Sequence, residues 1–207
     1  MGMSNEDHPC CRRSQRPVIG IDEVGRGSLI TSVTTAAVIF VTEAPEGLRD
    51  SKKLSEKKRI AFDLAIRECA EVSIGEATVQ EIDRIGILAA TLLAMRRAWE
   101  GIPSTLRRQS LVIVDGDKAP PIPGALELLP KGDDLCPTIS AASIIAKVWR
   151  DNAVKALHDL EPQYNWGKNK GYGTRDHIAA IEAHGPSLHH RRSFAPIRTM
   201  LKARPDL

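Results

Sequence analysis

Aromatic side chains are scarce in this 207-residue sequence; Phe, Trp and Tyr together make up 4%. A core must therefore rest on Ile, Val, Leu and Ala, and a hydrophobic share of 42% is enough to build a sizeable one. No stretch approaches the roughly 18 apolar residues of a membrane span. Residues 1–16 are polar and charged, without the apolar stretch of a secretory signal. Cysteine is limited to Cys10, Cys11, Cys69 and Cys136, and no pair has zinc-ligand spacing. That argues against a zinc module or a disulfide framework and for reduced thiols in a cytosolic protein. Internal repeats, low-complexity segments and a G-x-x-x-x-G-K-[ST] phosphate loop are all missing. The formal net charge of +3 is too small to identify a partner by itself. A charged share of 27% fits a globular chain rather than a disordered one. The expectation is a soluble, cytoplasmic, monomeric protein with no membrane contact. Residues 1–16 are expected to be a flexible tail, 17–160 one domain, and 161–207 a C-terminal extension.

What is present alternates between short β-branched runs and helical stripes. Val18-Ile19-Gly20-Ile21 reads as a buried strand that breaks at Gly25-Arg26-Gly27, and residues 33–41 read as a second. Residues 43–50 read as a loop. Residues 55–68 favour helix, with Ser55 as cap. A strand is expected over 71–79 and one helix over 80–100, with Ile82, Ile85, Ala89, Leu92 and Trp99 as its apolar stripe. Leu111-Val112-Ile113-Val114 is a buried strand. Three prolines keep 117–124 irregular, a short strand follows near 126–129, and a long helix runs over 138–160. This order predicts an α/β sandwich with a mixed sheet.

Four carboxylates recur at the ends of these runs. Asp22 and Glu23 follow the first strand, Asp115 follows the run ending at Val114, and Asp133 follows Lys131-Gly132. Strand ends are where open α/β sheets place their chemistry. Carboxylates converging there repel one another unless a hard cation lies between them, and Mg2+ or Mn2+ prefers such oxygen donors. Each acid taken singly reads as a turn residue or helix cap; their recurrence makes a shared metal site an equal alternative. Adjacent strand residues point to opposite faces, so Asp22 and Glu23 share a site only if the strand twists or ends there.

Gly25-Arg26-Gly27 reads as an ordinary turn or as a loop whose backbone N–H groups approach a ligand. Lys52-Lys53 with Lys57-Lys58-Arg59, Lys168-Asn169-Lys170, and His189-His190-Arg191-Arg192 are basic clusters, each either a solvated face or a set of phosphate contacts. Tyr172, between Gly171 and Gly173, either stacks on a nucleotide or packs on its own domain.

Together these strings resemble the ribonuclease HII family over about residues 18–198. The landmarks are Gly20-Ile21-Asp22-Glu23-Val24-Gly25-Arg26-Gly27, Asp50-Ser51-Lys52-Lys53-Leu54-Ser55, Val114-Asp115-Gly116 and Lys131-Gly132-Asp133. They continue with Ile139-Ser140-Ala141-Ala142-Ser143-Ile144-Ile145-Ala146-Lys147-Val148, Lys170-Gly171-Tyr172-Gly173-Thr174 and His190-Arg191-Arg192-Ser193-Phe194. The resemblance implies a ribonuclease H-like mixed sheet flanked by helices, with a C-terminal helical extension. It implies that Asp22, Glu23, Asp115 and Asp133 bind Mg2+ or Mn2+, two cations during catalysis. It implies that Gly25, Arg26 and Gly27 read a ribose 2′-OH, that Tyr172 packs on the next deoxyribose, and that Lys52 and Lys53 contact phosphates. Lys147 reads equally as an ion pair within its helix.

The implied activity is hydrolysis of the RNA strand of RNA–DNA hybrids and incision 5′ of ribonucleotides embedded in duplex DNA, leaving 5′-phosphate and 3′-OH ends. That is ribonucleotide excision repair chemistry. A DNA-only nuclease or integrase of the same fold, and a hybrid-binding protein without catalysis, are the rival readings. After Gly27 the family pattern continues Pro-Leu and then Gly-Pro-Val, whereas this chain has Ser28-Leu29-Ile30-Thr31-Ser32-Val33. The loss of two prolines and a glycine predicts a less restrained loop.

Overall fold

The computed structural model describes residues 16–203. The tail expected over 1–16, with its Cys10–Cys11 pair, lies outside the described residues except for Arg16. Five strands form one mixed sheet in the order β3-β2-β1-β4-β5. They are β1 (Val18–Val24), β2 (Val33–Phe40), β3 (Ala70–Ala77), β4 (Leu111–Asp115) and β5 (Leu126–Leu129). β2 runs antiparallel to β1 and β3, while β4 lies parallel to β1 and β5 parallel to β4. The helices are α1 (Glu56–Cys69), α2 (Val79–Ile85), α3 (Ile87–Gly101), α4 (Ser104–Gln109) and α5 (Pro137–Leu160), then α6 (Trp166–Asn169), α7 (Arg175–His184) and α8 (Ala195–Ala203).

The period of two in β2 feeds two cores. Ala37 and Ile39 join Ile19, Ile21, Val112 and Val114 under Met95, Ala98 and Trp99 of α3. Ala36 and Val38 join Ile66 of α1 and Ala141, Ala142, Ile144 and Ile145 of α5 on the other face. Each fully buried Ile in these layers contributes roughly 1.5–3 kcal/mol, so packing holds the strands whose ends carry the acids. Gly20 lets α5 lie directly on β1, because a Cβ there would collide with the backbone of Thr138 and Ile139. Ser55 caps α1 as expected, its side chain accepting from the Lys58 N–H.

Three expectations change. β1 does not stop at Ile21 but stays paired with β2 through Val24, so Asp22 and Glu23 are strand residues. The helix expected over 80–100 is two helices, parted at Gly86 with φ 81°. The break resets the helical phase. Ile82 and Trp99 are buried as expected, but Ile85 and Ala89 are exposed, and the inward face of α3 is Ala90, Ala94, Met95 and Ala98. The short α4, none of whose residues is buried, was not foreseen.

After α5 the chain folds back. Tyr164, Trp166, Ile181 and Ile197 pack with Val154 of α5 and with Leu29 and Ile30 from the β1–β2 connection. The C-terminal segment is thereby fixed against the loop that leaves β1.

Candidate active site

The three parallel strands β1, β4 and β5 deliver acids at their C-terminal ends. Ile21 pairs with Val114, which sets Asp22 beside Asp115 at neighbouring strand positions. Beyond β5 a 3-10 turn, Gly132–Asp134, carries Asp133. The Gly132 N–H donates to Asp115 Oδ1 at 2.8 Å and ties that turn to the end of β4.

Asp22 is buried, and its Oδ1 accepts from the Glu23 N–H at 2.7 Å. Burial, then the charges of Glu23 and Asp115, push its carboxyl well above the usual range, opposed by the Ser143 hydroxyl. Ser143 in turn lies 2.9 Å from Ser51 Oγ. Glu23 is raised by burial and by Asp115, with Arg26 opposing from 3.4 Å. Asp133 is raised by burial and by Asp50 and Asp115. Partial burial of the Lys52 ammonium works against its charge, but Asp50, Asp133, Asp22 and Asp115 outweigh it and lift its pKa. Lys52 Nζ lies 4.0 Å from Asp133 Oδ2.

Asp115 thus acts electrostatically on each of the other three sequence-predicted acids. Glu23 also acts on Asp22, although the strand neither ends nor loses its pairing between them. Among the described residues no three His, Cys, Asp or Glu side chains are gathered closely enough to hold a cation as they stand. The donor chemistry nevertheless fits a hard divalent cation. Three raised carboxylates and an attracted ammonium describe a pocket of excess negative charge, and a cation between them would relieve the repulsion.

The loop after β1 forms one wall. Gly25 has φ 90°, and a Cβ on Gly27 would touch the Tyr172 ring at 3.8 Å. Tyr172 is 40% exposed, so its ring is open to a ligand. The predicted looseness of this loop is not observed. Ser28 is fully buried, and Ser32 Oγ donates to Glu76 at 2.7 Å. Arg191 donates to the carbonyls of Thr31, Arg26 and Ser32 at 2.9, 3.0 and 3.0 Å. Hydroxyls and one buried guanidinium hold this loop through hydrogen bonds.

The basic clusters divide. Lys52 faces the acids, whereas Lys53 is exposed and donates to both oxygens of Asp134 at 2.7 Å. Lys147 pairs with Asp151 at 2.8 Å, the ion pair rather than a free cation. The run His189-His190-Arg191-Arg192 is not a surface patch, since His190 and Arg191 are buried. Lys168 is exposed and Lys170 partly buried beside Tyr172. Sequence reasoning missed Asp50, Ser51, Ser143 and Arg150. The signal for two of them was present. Ser140, Ser143, Lys147 and Arg150 recur at helical spacing through the first, largely buried half of α5, a polar stripe on an otherwise mostly apolar stretch.

The family model for ribonuclease HII matches residues 19–197. The ribonuclease HII of Ralstonia nicotianae is 50% identical over 196 residues, covering 94% of this chain and 83% of that protein. Among solved structures, Bst-RNase HIII in complex with Mn2+ superimposes with a TM-score of 0.72 at 18% identity, over 94% of this chain and 72% of that one. The ribonuclease H2 from Pyrococcus horikoshii OT3 gives 0.68 at 22%, over 90% and 98%. At these identities the two structures establish the ribonuclease H-like fold, and the sequence matches establish the family. The chain belongs to the ribonuclease HII family of metal-dependent endoribonucleases, which cleave the RNA strand of RNA–DNA hybrids.

Proposed function

We propose that this chain, besides hydrolysing the RNA of hybrids, incises 5′ of single ribonucleotides embedded in duplex DNA. The observation that carries the reading is the contact between Gly27 and the Tyr172 ring, on the loop that leaves β1 just after Asp22 and Glu23. Asp22, Glu23, Asp115 and Asp133 are the residues that would hold Mg2+ or Mn2+. Divalent ions held there would supply activation of water and neutralisation of charge on the leaving 3′-oxygen, and the products would carry 5′-phosphate and 3′-OH ends. Backbone groups of Gly25, Arg26 and Gly27 read the 2′-OH, the group that separates RNA from DNA. Tyr172 packs on the following sugar, where a second 2′-OH would crowd the ring. Lys52 holds a phosphate near the acids, and Lys53 a further one once released from Asp134.

Residues 17–160 are assigned as the catalytic domain, and the segment after 160 as the extension that completes the substrate site. The core shared by Leu29, Ile30 and the C-terminal helices supports that division of labour. We assign the protein to the cytoplasm, acting as a monomer. Among the described residues no helix is long and apolar enough to cross a membrane.

The test is incubation of the protein with three duplexes: all DNA, DNA with one ribonucleotide, and a continuous hybrid. Each is run with Mg2+, with Mn2+ and with chelator. Metal-dependent cutting at the 5′ side of the lone ribonucleotide, with the all-DNA duplex untouched, is the expected result. Cutting of all three alike would favour a DNA nuclease, and binding without turnover would remove catalysis.

A further inference from the structure

Arg150 is a cation shut into the protein beside the site. It projects from α5 and is 1% exposed. Its Nη2 donates to Ser28 Oγ at 2.7 Å and to the Lys170 carbonyl at 3.2 Å. Among the described residues its Nε and Nη1 are buried with no hydrogen-bond partner. Asp151 acts on it only through its charge, without an ion-pair contact among the described residues, and burying a guanidinium with two donors unmet is costly. A neutral side chain of similar length would pack at lower cost, so filling space does not account for this residue.

Its surroundings supply the account. A Cβ on Gly25 would lie 2.5 Å from Arg150 Nε, so the loop backbone rests on the guanidinium. The Tyr172 ring centre is 5.9 Å from the guanidinium carbon. Ser28 Oγ lies 3.2 Å from the Gly171 carbonyl and accepts from the Ile30 N–H at 3.3 Å. The Leu29 N–H donates to the same Gly171 carbonyl at 2.8 Å. One guanidinium and one hydroxyl therefore join the loop ending at Gly27 to the turn carrying Tyr172. Proline, which the family pattern places where Ser28 stands, would offer Arg150 no acceptor.

We propose that Arg150 and Ser28 are a positioning pair that sets the spacing between the Gly25-Arg26-Gly27 loop and the Tyr172 ring. Selectivity for a ribonucleotide followed by a deoxyribonucleotide is then governed partly by two buried residues that touch neither sugar. The inference rests on the incision activity proposed above. Its physical basis is that two adjacent sugars are measured together, and misplacement by about 1 Å far from the chemistry can cost 10²-fold.

The experiment compares kcat/KM on a duplex with one ribonucleotide against kcat/KM on a continuous hybrid. The proteins are wild type, Ser28→Ala, Ser28→Pro, Arg150→Lys, Tyr172→Ala and the Ser28→Ala/Tyr172→Ala double variant, each with its melting temperature. The ratio of the two constants is expected to fall about fivefold in Ser28→Ala and Ser28→Pro, and about tenfold in Arg150→Lys, which keeps the charge but not the fork. In the double variant Ser28→Ala should add less than about twofold to the loss from Tyr172→Ala, because both act through one ring. An unchanged ratio overturns the proposal. So do losses that multiply in the double variant, or equal losses on both substrates tracking a lower melting temperature. Should Arg150→Lys fail to fold, the Ser28 variants decide alone. A wild-type protein that leaves the lone ribonucleotide uncut refutes the incision activity and this inference together, and that control separates the two kinds of failure.

Discussion

Asp22→Asn should make the protein more stable and nearly inactive. Asp22 is 5% exposed, and burial followed by repulsion from Glu23 and Asp115 raises its carboxyl well above the usual range. With the folded-state pKa above the unfolded one, the native state binds the extra proton. Stability is then full below the unfolded pKa and is lost as pH rises toward the folded one. At neutral pH without metal the wild type bears this cost, at about 1.4 kcal/mol for each tenfold gain in proton affinity on folding. Asn escapes it but gives up a charge-assisted bond from the Glu23 N–H, made at 2.7 Å and worth ~1–2 kcal/mol. The relief of burial and repulsion should outweigh the lost bond, so the melting temperature in chelator should rise, by roughly 2–4 °C for each kcal/mol of net gain. Adding Mg2+ should narrow the gap, since an ion that binds only the native wild type stabilises it. Cleavage of the hybrid should fall by at least ~10²-fold, the loss typical of removing a group that stabilises the transition state. Melts in chelator and in Mg2+ beside initial rates test both halves. A lower melting temperature in chelator would refute the electrostatic argument, and a near-wild-type rate would refute the assignment of Asp22.

Lys52→Ala should weaken binding to every duplex and reduce the slope of log affinity against log salt by about 0.9, one phosphate contact; an unchanged slope in a salt titration removes the contact. Lys53→Ala should change the slope less, because that ammonium already holds Asp134. Tyr172→Phe should retain most incision at lone ribonucleotides, whereas Tyr172→Ala should lose it by ten-fold or more, roughly the value of one stacking platform; unchanged incision with wild-type stability would sink the role of the ring. Acid should destabilise the fold through His190, whose pKa burial and then His177 depress to about 3. Its contribution is present above the usual pKa near 6.5 and is lost as pH falls toward 3, about 2 kcal/mol at pH 5. Melts at pH 7.5 and 5 should therefore differ less in His190→Asn than in wild type, and equal differences would count against it.

Much of the fold was legible because its signals are local. Apolar runs such as Leu111-Val112-Ile113-Val114 have no alternative to burial, and the Ser55 cap is a short-range hydrogen bond. The single helix expected over 80–100 failed at Gly86 for a related reason. A glycine inside a periodic stretch is tolerated by an unbroken helix, and only packing of Ala90, Ala94 and Ala98 against the sheet decides that the chain must turn there. The end of β1 lies three residues beyond the expected one and that of β4 one residue beyond, because a strand's charged terminus looks like a turn until its partner's register is known.

The site was legible where a residue acts through its own charge and illegible where it acts through another's. Asp22, Glu23, Asp115 and Asp133 stand at or just beyond the ends of apolar runs, so the residues alone made a shared site an equal alternative, and the family resemblance implied the full set. Arg191 looked like part of a surface cluster because its run is basic, and nothing local says that its guanidinium will be spent on three carbonyls more than 150 positions earlier. The same holds for the loop after Gly27. Losing prolines there predicts freedom only if the unfolded chain is the sole thing considered. In the folded protein Ser28 and Ser32 replace a covalent restraint with hydrogen bonds to Arg150 and Glu76. A restraint of that kind depends on residues from α5 and β3, so it can be altered from outside the loop. Under the assignment proposed above, that dependence makes the loop adjustable through Arg150 and Glu76, neither of which is assigned to substrate.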